Sequence, residues 1–102
     1  MKAIVNNIEM FWQEHGQGDP VLLVHGFPLT HELWTPLVEH LGDGQRFIMP
    51  DLRGFGKTEV VEHRTLNRFV EDLAALLDYL DLRDVVIVGL SMGGYVAFEF
   101  YR

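Results

Sequence analysis

Short unbroken apolar runs alternate along the chain with segments whose apolar residues recur every three or four positions. Ala3-Ile4-Val5 and Ile8 to Gln13 flank Asn6-Asn7. Paired asparagines tolerate the positive φ of a tight turn, so this opening reads as a hairpin. Its second arm runs into the turn-rich stretch Gly16-Gln17-Gly18-Asp19-Pro20. Val21-Leu22-Leu23-Val24 is apolar throughout, as expected of a strand buried on both faces of a parallel sheet. Trp34, Leu37, Val38 and Leu41 then return at helical spacing, with Thr35 expected as the cap and Pro36 at the first helical position. Gly42 and Gly44 close that helix, and Phe47-Ile48-Met49 forms a second short strand ended by Pro50-Asp51.

The longest periodic segment predicts a helix from about Thr65 to Leu80. Leu66, Phe69, Val70, Leu73, Leu76, Leu77 and Leu80 make one apolar stripe, while Arg68, Glu71, Asp72 and Asp78 fall off it. A turn over 81–84 precedes Val85-Val86-Ile87-Val88, the expected third buried strand. Gly89 to Gly94 leads into a last helix holding Val96, Ala97, Phe100 and Tyr101. A hairpin followed by β-α-β-α-β-α is the order of an α/β sheet. No repeat, low-complexity tract or linker interrupts it, so residues 1–102 read as one unit.

Composition narrows the partners. At 48% hydrophobic and 23% charged residues the chain is globular rather than disordered. A net charge of −7 gives none of the positive field that nucleic acid or an anionic membrane requires, so neither is an expected partner. With no cysteine there are no disulfides, thiolate metal sites or cysteine nucleophiles. The segment from Met1 to Asn7 has neither the apolar run of a secretory leader nor that of a membrane span, and a cytoplasmic location is the default expectation.

The candidate chemistry centres on Ser91, the sole serine of the chain, which stands in Gly89-Leu90-Ser91-Met92-Gly93. A serine exposed above a sheet sits on a sharp strand-to-helix turn with strained backbone angles. Residues two before and two after it are crowded by backbone, so glycine is expected at both. The following helix points unpaired amides and its positive dipole end toward the site, where oxyanion charge develops. The bland alternative is a glycine-rich turn with an incidental serine. It does not account for a buried strand ending at Gly89 and a helical pattern beginning near Met92, the context the motif needs.

Two further stretches accompany it. His25-Gly26-Phe27-Pro28 follows the first buried strand, and Asp51-Leu52-Arg53-Gly54-Phe55-Gly56-Lys57-Thr58 follows the second. Together with Gly-Leu-Ser-Met-Gly-Gly these resemble the α/β-hydrolase superfamily, most closely its small esterases, lactonases and cofactor-free haloperoxidase-like members. The resemblance covers the whole chain in the family's motif order. It implies a serine hydrolase acting on an ester or related acyl bond of a small molecule, with Ser91 as nucleophile and no metal or organic cofactor. It also implies an oxyanion hole made by the backbone N–H groups of Phe27 and Met92. Two donors converging on one point hold the oxygen of a tetrahedral intermediate, and losing one typically costs about 10²–10³ in rate. Phe27 would add an apolar side chain to the acyl or alcohol pocket.

His25 reads as a hydrogen-bonded support for its turn, since histidine commonly orients backbone through its ring. Asp51 and Arg53 are expected to fix the second loop by hydrogen bonds and an ion pair. That loop also matches a phosphate-binding G-x-x-x-x-G-K-[ST] sequence except that Asp51 replaces the first glycine, and an acidic side chain there repels phosphate. His15, His40 and His63 are expected on the surface, and Glu99 toward solvent.

The chain departs from the family in one respect. The superfamily's order is serine, then acid, then histidine, yet no histidine follows Ser91. A hydroxyl is a weak nucleophile without a base, and a His25–Ser91 dyad lacks an orienting carboxylate. The chain is therefore expected to be the N-terminal half of the fold, inactive by itself, with the sheet incomplete beyond 85–88. The bare apolar edge of that strand is an invitation to self-association. The competing class is a non-catalytic binding module that keeps the turn as scaffold.

Overall fold

The computed structural model describes residues 1–62 and 64–101. Five strands form one mixed sheet: β1 (Lys2–Val5), β2 (Ile8–His15), β3 (Pro20–Val24), β4 (Arg46–Pro50) and β5 (Val86–Gly89), in the spatial order β1-β2-β4-β3-β5. β1 and β2 are the predicted hairpin, with Asn6 and Asn7 at φ 52° and 65° in its turn. β2 runs antiparallel to β4, whereas β3 lies parallel to both β4 and β5.

Three helices flank the sheet: α1 (Thr35–Leu41), α2 (Leu66–Tyr79) and α3 (Met92–Tyr101). Alternating residues of β3 explain why its sequence is apolar without a break. Leu22 and Val24 join a core with Met10, Trp12, Ile48, Leu73, Leu76 and Val96 under α2 and α3. Val21 and Leu23 join Trp34, Val38, Phe47 and Met49 on the opposite face, under α1. Among the described residues no helix is long and apolar enough to cross a membrane.

Three expectations need correction. A single 3-10 turn, His31–Trp34, precedes α1, so Trp34 is its cap without a side-chain bond and Thr35 is already helical. Thr30 does the side-chain capping instead, accepting from the Glu32 amide at 3.2 Å. Asp72 is fully buried rather than off the apolar stripe of α2, because an arginine partner lies inside the core with it. β5 is not buried on both faces: Val86 and Val88 are 59% and 40% exposed. They share a sheet face with Val21 and Leu23, and the seven-residue α1 does not reach across to them.

Candidate active site

Because β3 and β5 are parallel neighbours, their carboxyl ends lie side by side. Val24 sits opposite Gly89, and the Leu90 amide donates to the Val24 carbonyl at 3.1 Å. The crevice beyond such strand ends is where open α/β sheets bind ligands. Ser91 occupies the turn between β5 and α3, exposed, with φ 54°. Four other non-glycine residues have positive φ among those described, namely Asn6, Asn7, Asp81 and Asp84. Asn and Asp tolerate that region by local hydrogen bonding, so Ser91 is the strained member of the set.

The turn is held by its own backbone. Gly93 donates to the Leu90 carbonyl at 2.8 Å, while Gly94 and Tyr95 donate to that of Ser91 at 2.8 and 3.2 Å. Any Cβ at Gly89 would collide with the backbone of Gly93 and Gly94, and one at Gly93 with the carbonyls of Val24 and His25. The spacing of glycines around the serine is therefore a packing requirement. Gly26 brings the neighbouring loop equally close: a Cβ there would lie 3.3 Å from that of Ser91.

Phe27 stands on the loop after β3 and Met92 at the first position of α3. No backbone acceptor among the described residues engages either amide, although the Leu29 and Gly93 amides beside them are both bonded. The Phe27–Pro28 peptide is cis. His25, fully buried, binds the turn as expected. Its Nε2 accepts from the Leu52 amide at 3.0 Å, so Nδ1 carries the proton that goes to the Gly26 carbonyl, also at 3.0 Å. Burial holds its pKa below the ordinary imidazole value, against the raising effects of the Gly26 carbonyl and the Asp51 charge. Both ring nitrogens are engaged, which leaves none for the Ser91 proton.

The loop after β4 is built around Asp51. Its carboxylate accepts from the amides of His31 at 2.7 Å and Lys57 at 2.9 Å, and lies 2.8 Å from His31 Nδ1. The Thr58 hydroxyl donates to the Asp51 carbonyl at 2.7 Å. A loop amide that a phosphate cradle would offer is thus taken up internally, and among the described residues no helix begins between Asp51 and Leu66, which removes the nucleotide reading. The expected ion pair exists with partners the sequence did not indicate. Arg53 forks onto Asp72 with two bonds of 2.7 Å, and Asn6 donates to the same carboxylate at 2.8 Å. The hydrogen bonds to Asp72 hold the Arg53 pKa above its ordinary value.

A cavity of about 260 Å³ is lined by Phe27, Phe55, Phe69, Met92 and Arg64. Its rings form a chain: His25 to Phe55 at 5.4 Å, Phe55 to Phe27 at 5.8 Å and Phe55 to Phe69 at 6.4 Å. On the other side of Ser91, an open apolar hollow is lined by Gly94, Tyr95 and Phe98. Among the described residues no three His, Asp or Glu side chains gather as a metal site. His40 is exposed and His15 half-buried, and His63 lies outside the described residues. Glu99 is half-buried and engaged rather than free in solvent.

Residues 19–102 match the family profile described as the alpha/beta hydrolase fold. The chain belongs to that family. This α/β-hydrolase is 42% identical over 91 residues to the non-heme chloroperoxidase CPO-A1 of Kitasatospora aureofaciens, covering 87% of the chain and 33% of the relative. It is 38% identical over 99 residues to epoxide hydrolase 2 of Siraitia grosvenorii, covering 93% and 31%. Among solved structures it superposes on a thermophilic esterase from Thermogutta terrifontis with malate bound, at 45% identity and TM-score 0.91, covering 100% of this chain and 40% of that one. An epoxide hydrolase from Vigna radiata gives 36% identity and TM-score 0.92, with 98% and 34% covered. The chain spans about a third of the length of the curated relatives it matches, less than the half expected.

Proposed function

We propose that this α/β-hydrolase chain carries the nucleophile and oxyanion hole of a serine hydrolase acting on an ester or related acyl bond. The observation that carries the reading is Ser91 at φ 54°, exposed on the β5–α3 turn next to two unengaged amides. In the proposed reaction Ser91 Oγ bonds to the acyl carbon while its proton passes to a general base. The carbonyl oxygen becomes an oxyanion held by the amides of Phe27 and Met92. The tetrahedral intermediate expels the alcohol, which takes the proton, and water then cleaves the acyl-Ser91 ester. Both nitrogens of His25, the histidine at the neighbouring strand end, are engaged elsewhere, so this reading takes its base and acid from outside the described residues.

Relatives named as epoxide hydrolases share the scaffold, but the nucleophile type argues for acyl transfer. A carboxylate opening an epoxide forms an ester that water can split. A serine doing so would form an ether that water does not. That both nitrogens of His25 are engaged away from Ser91 favours a second reading, a binding module that uses the same amides without turnover.

The two separate in a fusion of residues 1–102 to the portion of the Thermogutta esterase beyond its matching segment. The hydrolase reading expects the fusion to cleave p-nitrophenyl acetate and to bind a fluorophosphonate at Ser91. Ser91→Ala should lower the rate by roughly 10³-fold or more. A folded fusion whose activity survives Ser91→Ala sinks it. The unfused chain is expected to resist labelling.

A further inference from the structure

We infer that Arg64 makes this site select acyl groups that carry a second, ionised carboxyl group. The inference rests on the hydrolase reading, because it takes the Phe27 and Met92 amides as the seat of the reacting carbonyl. The cavity of about 260 Å³ beside those amides is walled by three phenylalanines and Met92, and Arg64 is its one charged lining residue.

That arginine is placed differently from the other described arginines. Among the described residues Arg46 meets Glu14 at 2.7 Å, Arg53 meets Asp72 at 2.7 Å, Arg68 meets Glu71 at 3.6 Å and Arg83 meets Asp78 at 3.7 Å. Among the described residues Arg64 meets no carboxylate, in a chain where Asp and Glu number 15 against 8 Lys and Arg. Nor does a ring hold it: the cation found over an aromatic face is Lys57, 4.8 Å above Phe11. Its stem lies across Gly54, where a Cβ would overlap Cδ and come within 3.0 Å of Nη1. The side chain thus lies along Gly54, exposed, on the wall of the cavity.

A guanidinium offers five donors in a planar fork, the geometry that a carboxylate meets with two parallel bonds. The phenylalanine walls suit the carbon chain between that carboxylate and the carbonyl under attack. Apolar walls, a cation and two residues with unengaged amides around one cavity suit a half-ester of a short dicarboxylic acid.

The inactive 102-residue chain allows binding to be measured without turnover. Titration of ¹⁵N-labelled protein with monomethyl glutarate, and separately with the uncharged dimethyl glutarate, follows the amides of Phe27 and Met92 and the Nε–H of Arg64. The half-ester should bind roughly ten- to a hundredfold more tightly than the diester, shifting all three signals. Arg64→Gln should bring it down to the diester's affinity, and Arg64→Lys should keep part of the preference. Matching thermal melts of the exposed variants show that they remain folded. Equal affinity for the two esters, or a half-ester affinity unchanged in Arg64→Gln, overturns the inference while leaving the hydrolase reading intact. Shifts at Arg64 without any at Phe27 and Met92 overturn the shared premise about the carbonyl.

Discussion

β3 and β5 have nearly the same sequence character and opposite circumstances. Val21-Leu22-Leu23-Val24 is between 0% and 7% exposed, whereas Val86 and Val88 of the adjacent strand stand 59% and 40% open. The two strands pair residue for residue, Val21 with Val86 and Leu23 with Val88. β3 has a strand on each side and helices over both faces. β5 has one neighbouring strand, and its Ile87 face alone is covered, by α2 and α3. An apolar run therefore encodes a strand, while burial belongs to whatever packs around it.

The contrast can be attacked from the centre outward. The largest expected effect is at Asp72, whose removal leaves Arg53 charged and buried. Asp72→Ala should cost about 3–5 kcal/mol in urea unfolding, and a cost under about 1 kcal/mol would show the pair to be dispensable. Leu22→Ala, in the middle of β3, should cost about 2–5 kcal/mol, while Val86→Ala opposite its neighbour should stay within about 0.5 kcal/mol. Equal costs at the two sites would erase the distinction between centre and edge.

Acid gives a smaller effect at the end of β3. His25 is neutral when folded and its pKa is lowered by burial, so the unfolded chain binds the proton first. Its contribution is full above the ordinary imidazole value near about 6.5. It is lost as pH falls from there toward the lowered folded value. His25→Gln should flatten that limb of the stability–pH curve, and an unchanged slope would move the titration to another group. The least change in stability is expected from Val86→Lys. On sedimentation the parent chain should self-associate through the open edge of β5, since Val86 to Gly89 has no charge to block pairing. The lysine variant should sediment as a monomer, with its melting temperature nearly unchanged. A monomeric parent would remove the edge as an interaction surface.

Much of this architecture was legible because it follows from local rules. The asparagine turn, the unbroken apolar run of β3, the periodic stripe of α2 and the glycine spacing around Ser91 can each be read from neighbours in sequence. Asp72 was also within reach: it lies three residues after Phe69 and four before Leu76, on the buried side of α2. A carboxylate at such a position implies a buried cation. His31 carried no signal, because its partner Asp51 is twenty residues away and only the folded loop joins them. Arg64 was equally silent. The rings it stands beside are brought to it only by the fold.

Selection for robustness alone would not have kept a hydroxymethyl group on the β5–α3 turn. A glycine at position 91 would rest in that left-handed geometry at no steric cost, and the molecule would gain about 1 kcal/mol. What the turn does instead is present an oxygen to solvent at the junction of two loops. Such a trade of toughness for reach marks a tool kept under tension, and a hotter-melting Ser91→Gly protein would measure how much.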